Sequence, residues 1–109
     1  MTVQEVIEKL NLKAVGGRTR LAEEVTGAYC SDLLSDVMAH ARQGNLWLTI
    51  QTHTNVVAVA SLLNLAAVVI TGGGAPDPEV IARAEKEGIP LLLTQLHTFE
   101  AAGELHRLL

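Results

Sequence analysis

The chain has 109 residues, a net charge of −4 and an apolar fraction of 49%. This length suits one domain with its own core, and so apolar a composition argues against intrinsic disorder. The negative net charge and the lack of any basic run argue against nucleic acid as a partner.

Cys30 is the single cysteine, which excludes an internal disulfide and favours a reducing, cytoplasmic location. The N-terminus carries no apolar signal region. The longest apolar segment, residues 56–70, is shorter than the roughly 20 residues that a transmembrane helix needs. We therefore expect no membrane association.

The first third of the chain predicts one helix and two short strands. Thr2 followed by Glu5 is a capping-box pattern, and the apolar spacing after it favours a helix of about eight residues. Leu12–Val15 is a candidate strand, and Val25–Cys30 is a second one that Gly27 interrupts. Neither strand has a predicted direction.

A second helix is predicted over residues 33–42. Ser31 or Asp32 is placed to cap its start, and Gly44 lies where a C-terminal cap glycine is expected. The helical spacing predicts that Leu33 and Met38 are among the residues that face inward.

Residues 43–76 contain no Asp, Glu, Lys or Arg. Within them, Leu46–Ile50 and Ala66–Ile70 are apolar and rich in β-branched or aromatic residues, and a helix from Thr54 or Asn55 to Asn64 separates them. Continuous apolar strands joined by a helix are typical of parallel strands buried on both faces.

The last third continues the alternation. Asp77 and Pro78 mark the start of a helix and Gly88 marks its end. Strand Ile89–Leu93 and helix Thr98–Leu108 follow. The chain is therefore predicted to be an α/β protein with a layered, mostly parallel sheet and right-handed crossovers.

Three polar loops follow the predicted strands and carry the candidate ligand-binding residues. Ligands of parallel sheets bind at the carboxyl ends of the strands, so hydroxyl, amide, imidazole and backbone groups there suit a polar or nucleotide-like molecule. The candidates are Thr52, His53, Asn55, Thr71, Gly72, Gly73, Gly74, Thr94 and His97. The strand order, which decides whether the loops converge, is left open.

Two of these loops share the pattern Gln-x-His-Thr, at Gln51–Thr54 and Gln95–Thr98, 44 residues apart. Convergence of two strand–turn–helix units explains this echo better than duplication does. Either origin places a histidine at the entrance to a helix.

Catalytic, metal and cofactor sites have weaker sequence support. The glycine run lacks the motifs of a P-loop or a dinucleotide fold. His53 and His97 suggest a metal site only with a third ligand such as Cys30 or His40, and no short ligand pair occurs. We expect no enzyme activity, no metal and no cofactor.

Two further arrangements stay open as alternatives. Cys30, a histidine and Asp36 have the side chains of a nucleophilic triad, but no motif surrounds the cysteine. Asp32 and Asp36 are one helical turn apart, a spacing that suits either acid–base chemistry or, more commonly, a cap and an exposed ion pair.

Taken together, the sequence resembles the DRTGG domain family over nearly its whole length. The resemblance is carried by Gly27–Tyr29, Asp32–Met38, Thr49–Asn55 and Thr71–Gly74 with Pro76-Asp77. Thr71-Gly72-Gly73 matches the end of the name-giving string, whereas Val69-Ile70 stands where Asp-Arg would be, so no role of that charged pair is implied.

The resemblance implies a three-layer α/β/α domain similar to the N-terminal domain of HPr kinase/phosphorylase. It also implies a single, free-standing DRTGG-like domain over residues 1–109, with a regulatory or dimerising role and no catalytic residues. From it we expect a homodimer that binds a small-molecule or nucleotide ligand. The alternative is a protein-interaction adaptor without a ligand, in which Leu105, Leu108 and Leu109 contribute to an exposed apolar surface.

Overall fold

Five strands and five α-helices alternate along the chain in a computed structural model that describes residues 1–109. The strands are β1 (Lys13–Gly16), β2 (Gly27–Cys30), β3 (Asn45–Thr49), β4 (Ala67–Ile70) and β5 (Leu91–Leu93). The helices are α1 (Val3–Leu10), α2 (Leu34–His40), α3 (Thr54–Leu63), α4 (Pro78–Glu87) and α5 (Thr98–Leu108), and a 3₁₀ turn covers Arg18–Arg20.

The strands form one mixed sheet with the order β1-β5-β4-β3-β2. Strands β2 to β5 pair in parallel, whereas β1, an outermost strand of the sheet, runs antiparallel to β5. The predicted α/β fold with a mostly parallel sheet is confirmed. The directions of β1 and β2, which the sequence left open, turn out to differ.

Two apolar clusters, one on each side of the sheet, give the domain its three layers. On one side Trp47 and Val68 pack with residues of α2, α3 and α4. On the other side Leu48 and Val69 pack with residues of α1 and α5. All five residues of β3 are buried, as expected for a strand covered on both faces. None of the helices is long and apolar enough to cross a membrane.

Local signals placed most element ends within two residues of those observed. Thr2 and Glu5 form the predicted capping box of α1. Pro78 begins α4 and Gly88 ends it with a φ of 68°, although the Asp77 carboxylate makes no capping hydrogen bond. Chemistry within one helical turn is enough to set such boundaries.

The predicted start of α2 is wrong. Leu33, not Ser31 or Asp32, is the N-cap residue, and no side chain caps the helix. Leu33 is 64% exposed rather than inward-facing. The Asp32 carboxylate turns away from the helix, because it accepts hydrogen bonds from the end of β3 instead.

The predicted end of α2 is also wrong. The helix stops at Ala41, whose backbone is extended, and Met38 is 48% exposed. Gly44 does not cap the helix: its φ of 83° turns the chain into β3, where a Cβ would lie 2.7 Å from Thr26 Cγ2. The side chain of Asn45, which accepts from Arg42 N at 2.9 Å, stabilises this turn.

A polar cluster links β2 to α2. The Tyr29 hydroxyl donates to Asp36 Oδ2 at 2.8 Å, and His40 Nδ1 lies 3.1 Å from Asp36 Oδ1. The hydrogen bond from Tyr29, followed by one from Ser31, lowers the pKa of Asp36. The same bond raises the pKa of Tyr29, because deprotonation would remove the proton that the phenol donates; burial and the charge of Asp36 add to this effect.

Replacing Gly17 by Ala is expected to destabilise the domain by about 3 kcal/mol or more. Gly17 has a φ of 65°, and a Cβ there would lie 2.0 Å from the Ile89 carbonyl oxygen. The matched control is Gly103→Ala in α5, where a Cβ meets nothing within 4 Å. This change should stabilise by about 0.5–1 kcal/mol. Urea unfolding measures both, and equal stability of the two variants would contradict the close approach at Gly17.

Tyr29→Phe is expected to destabilise the protein at pH 7 and to have less effect in acid. Since the folded-state pKa of Asp36 is lowered, its contribution is present above the ordinary value of 3.8 and is lost as the pH falls through the folded-state pKa. Urea unfolding of wild type and variant at pH 7 and pH 3 tests this. A stability difference that stays the same at both pH values would show that Tyr29 does not bond the ionised carboxylate.

Candidate functional site

The polar loops that follow β2, β3, β4 and β5 lie at one edge of the sheet, here called the carboxyl edge. The parallel hydrogen bonding continues one residue beyond the strands: Thr71 N donates to Thr49 O and Thr94 N donates to Ile70 O, each at 3.0 Å. Strand order also makes β3, β4 and β5 direct neighbours. The structure therefore brings together the three loops that carry the sequence candidates.

The glycine loop, Thr71–Gly74, is the centre of this edge. Gly72 N donates to Leu96 O at 2.7 Å and Gly73 N donates to Thr94 O at 3.0 Å, which ties the loop to the end of β5. On the other side, a Cβ at Gly74 would lie 3.3 Å from Thr52 Cγ2 in the loop after β3. The glycine loop thus contacts both neighbouring loops.

Two of the three glycine N–H groups are consequently engaged within the fold. Gly74 N, by contrast, donates no hydrogen bond within the protein. The loop does not present the row of free N–H groups that a phosphate-binding nest requires. The positive φ values of Gly72 and Gly73, 75° and 77°, serve the contact between loops.

Two of the candidate threonines are also used internally. Thr71 is buried, and its Oγ1 lies 2.7 Å from Thr98 Oγ1 at the start of α5. Thr94 Oγ1 accepts from Leu96 N at 3.1 Å and holds the turn after β5. These two hydroxyls shape the edge, since their hydrogen-bonding capacity is partly taken up by the protein.

His53 and His97 occupy equivalent positions, as the repeated pattern predicts: each is the N-cap residue of a helix. His53 Nδ1 accepts from Asn55 N at 3.2 Å, so its proton resides on Nε2 when the ring is neutral. His97 makes no capping bond, and its Nδ1 lies 3.6 Å from the position of a Cβ at Gly72. Both imidazoles are exposed.

Asp32 was predicted as a possible cap of α2 but instead connects two loops of the carboxyl edge. Its Oδ1 accepts from Thr49 Oγ1 at 2.7 Å and from Ile50 N at 2.8 Å, and Gln51 Nε2 donates to its carbonyl. These bonds fasten the loop after β2 to the loop after β3. The only local sequence signal for this role is a carboxylate two residues beyond a strand. The same signal is equally typical of a helix N-cap.

Asn11 and Lys13 are functional candidates that sequence reasoning missed. Because β1 is antiparallel, its first residue lies at the carboxyl edge rather than the opposite one. Here a cleft of about 320 Å³ opens between the start of β1 and the glycine loop. It is lined by Asn11, Lys13, Gly73, Gly74, Ala75, Leu93, Thr94 and Gln95. The candidates Thr52, His53, Asn55, Thr71, Gly72 and His97 lie outside it.

The alternative chemical sites are not assembled. No group of three or more His, Cys, Asp or Glu side chains comes close enough to hold a metal ion. Desolvation and the Asp32 charge raise the pKa of the Cys30 thiol, which disfavours the nucleophilic thiolate. Asp32 and Asp36 contact different partners and do not form a carboxylate pair.

Comparison with known proteins gives a matching family model and similar solved structures. The crystal structure of the CBS and DRTGG domains of the regulatory region of Clostridium perfringens pyrophosphatase, complexed with its activator diadenosine tetraphosphate, has a similar fold. It is 17% identical, with a TM-score of 0.77, and the match covers 95% of this chain but 45% of that one. Among curated protein sequences nothing matches.

The family model named DRTGG domain matches residues 5–108, which confirms the resemblance that the sequence motifs indicated. Because the match extends over nearly all of the described fold, the chain belongs to the DRTGG domain family.

Proposed function

We propose that the protein is a non-catalytic, cytoplasmic regulatory module that acts as a homodimer and binds a small polar or nucleotide-like ligand at its carboxyl edge. The observation that carries this proposal is the contact of the glycine loop with both neighbouring loops. Polar groups from three strand ends thereby lie at the carboxyl ends of the parallel strands, which is where parallel sheets bind ligands.

The structural neighbour supports a nucleotide-like molecule as the ligand. Its solved form contains CBS and DRTGG domains of a regulatory region together with a dinucleotide activator. A shared fold alone does not transfer a ligand, so the residues of this chain have to supply the argument. They offer hydroxyl, amide and imidazole groups but no assembled catalytic constellation.

The nine candidate residues divide into two proposed roles. Thr71, Gly72, Gly73 and Thr94 shape the edge, since their polar groups bond other loops. The exposed or half-buried side chains of Thr52, His53, Asn55 and His97, with the free N–H of Gly74, contact the ligand.

A panel of metabolites and nucleotides is expected to include a compound that raises the melting temperature of the protein, increasingly so at higher concentration. His97→Ala should reduce this shift, because the imidazole of His97 is proposed to contact the ligand. The variant should remain folded, since His97 is exposed and makes no capping bond whose loss would destabilise the helix. His106→Ala is the matched control: it changes the same residue type near the other end of α5.

Differential scanning fluorimetry of the three proteins gives the result. Equal ligand-induced shifts in wild type and His97→Ala would remove His97 from the site. The absence of any stabilising compound in the panel would overturn the ligand-binding function itself.

Exposed apolar side chains favour the second candidate, an interaction adaptor. Leu33 and Ile50 are 64% and 59% exposed, and Leu96 and Phe99 are 38% and 84% exposed. All four lie in or directly after the loops of the carboxyl edge. Large apolar groups gathered in one region mark interaction surfaces. Of the residues predicted to contribute from the C-terminal tail, Leu105 is 1% exposed and belongs to the core, whereas Leu109 is exposed.

Light scattering is expected to show a dimer, and Phe99→Ser should shift it toward monomer by removing the most exposed of these side chains. Leu62→Ser is the control: Leu62 is 67% exposed but lies near the C-terminal end of α3, away from the carboxyl edge. A wild-type monomer at high concentration would contradict the homodimer. Dissociation by both substitutions alike would contradict the choice of surface.

A further inference from the structure

The cleft between the start of β1 and the glycine loop contains a cation with no counter-charge. Lys13 lines the cleft and forms no ion pair with any carboxylate of the protein, unlike Arg20, Arg83 and Arg107. No Asp or Glu lines the cleft. An unpaired ammonium group in a concave, carboxylate-free site attracts an anion.

The topology explains why Lys13 is in this position. Lys13 pairs with Leu93, the last residue of β5, because β1 runs against the other strands. The Lys13 backbone is thus held beside the end of β5, next to the turn that Thr94 stabilises. A parallel β1 would place the same lysine at the opposite edge of the sheet.

Other polar groups around the cleft are also uncommitted. The side-chain amides of Asn11 and Gln95 take part in no hydrogen bond within the protein, and neither does Gly74 N. Together with the exposed side chain of Lys13 they place one positive charge and several N–H donors among the residues that line one small cleft. Charge-assisted hydrogen bonds of this kind are the strong ones.

A cleft at the opposite edge of the sheet provides the contrast. It is slightly larger, about 390 Å³, but Glu23 and Glu24 line it. Its cation, Arg20, is already paired, with Nη2 3.0 Å from Glu23 Oε1. Two carboxylates and a neutralised arginine disfavour an anion there.

We propose that the Lys13 cleft binds the phosphate groups of the ligand, with Lys13 as the counter-charge and Asn11, Gln95 and Gly74 N as hydrogen-bond donors. This inference rests on the proposed function and deepens it, since it names the anionic part of the ligand and the residues that recognise it. The volume of about 320 Å³ is at the small end for ligand pockets and suits a phosphate chain, with the rest of the ligand lying along the carboxyl edge.

Calorimetric titration with ATP, adenosine and inorganic tripolyphosphate tests the proposal. The wild type should bind ATP more tightly than adenosine. Lys13→Gln should weaken ATP binding about tenfold or more, because a hydrogen bond to a charged group is lost, and should leave adenosine binding unchanged. Lys13→Arg, which keeps the charge, should restore most of the affinity.

Lys9→Gln is the matched control. Lys9 lies in the last turn of α1, close in sequence, but does not line the cleft. Its replacement should change ATP affinity by less than about twofold. Unchanged melting temperatures of the unliganded variants show that each remains folded.

The outcomes separate the two proposals. If tripolyphosphate alone binds as tightly as ATP and depends equally on Lys13, the anionic group is confirmed and its source is a free polyphosphate. If ATP binds Lys13→Gln and wild type equally, or only adenosine binds, the anion site is overturned while the ligand-binding function stands. If no anion binds and the metabolite panel also fails, both proposals are overturned.

Discussion

The hydrogen-bond ladder of the parallel strands is the constraint on which the rest of the structure depends. It runs through β2, β3, β4 and β5 and extends one residue further, as the bonds from Thr71 and Thr94 to the neighbouring strands show. This ladder determines that each strand leaves the core at the same edge. It also brings the glycine loop close enough to bond the turn after β5, so backbone pairing and site geometry have one cause.

This edge depends on glycines with positive φ and on polar side chains that bond within the protein. Gly72 and Gly73 both adopt positive φ, where other residues are disfavoured. The side chains of Asp32 and Thr71 bond other segments of the chain, and that of Thr94 holds its own turn. The groups of this surface that make no hydrogen bond within the protein include the Asn11 and Gln95 side chains at the Lys13 cleft and the imidazole of His97. Rigid loops with a few free polar groups are typical of preorganised binding sites.

Exposed apolar side chains at the same edge connect the two proposed functions. Phe99 lies in the first turn of α5, two residues after the N-cap His97. Ile50 directly follows Thr49, which donates a hydrogen bond to Asp32. A ligand that bonds the polar groups would therefore lie beside a surface suited to protein contact. Ligand binding and protein association at the carboxyl edge would be coupled, because each would remove water from groups that the other contacts.

Local residue patterns are enough to predict the elements, the layered α/β class and most of the helix ends. Apolar runs such as Leu46–Ile50 and caps such as Thr2 and Gly88 act over a few residues. The patterns also place the candidate loops on one edge, since parallel strands share their direction. Three features could not be predicted in this way: β1 is antiparallel, Asp32 bonds the end of β3 instead of capping α2, and Lys13 lines one cleft with the glycine loop. Those outcomes depend on pairing between segments distant in sequence, whose energies no local pattern encodes.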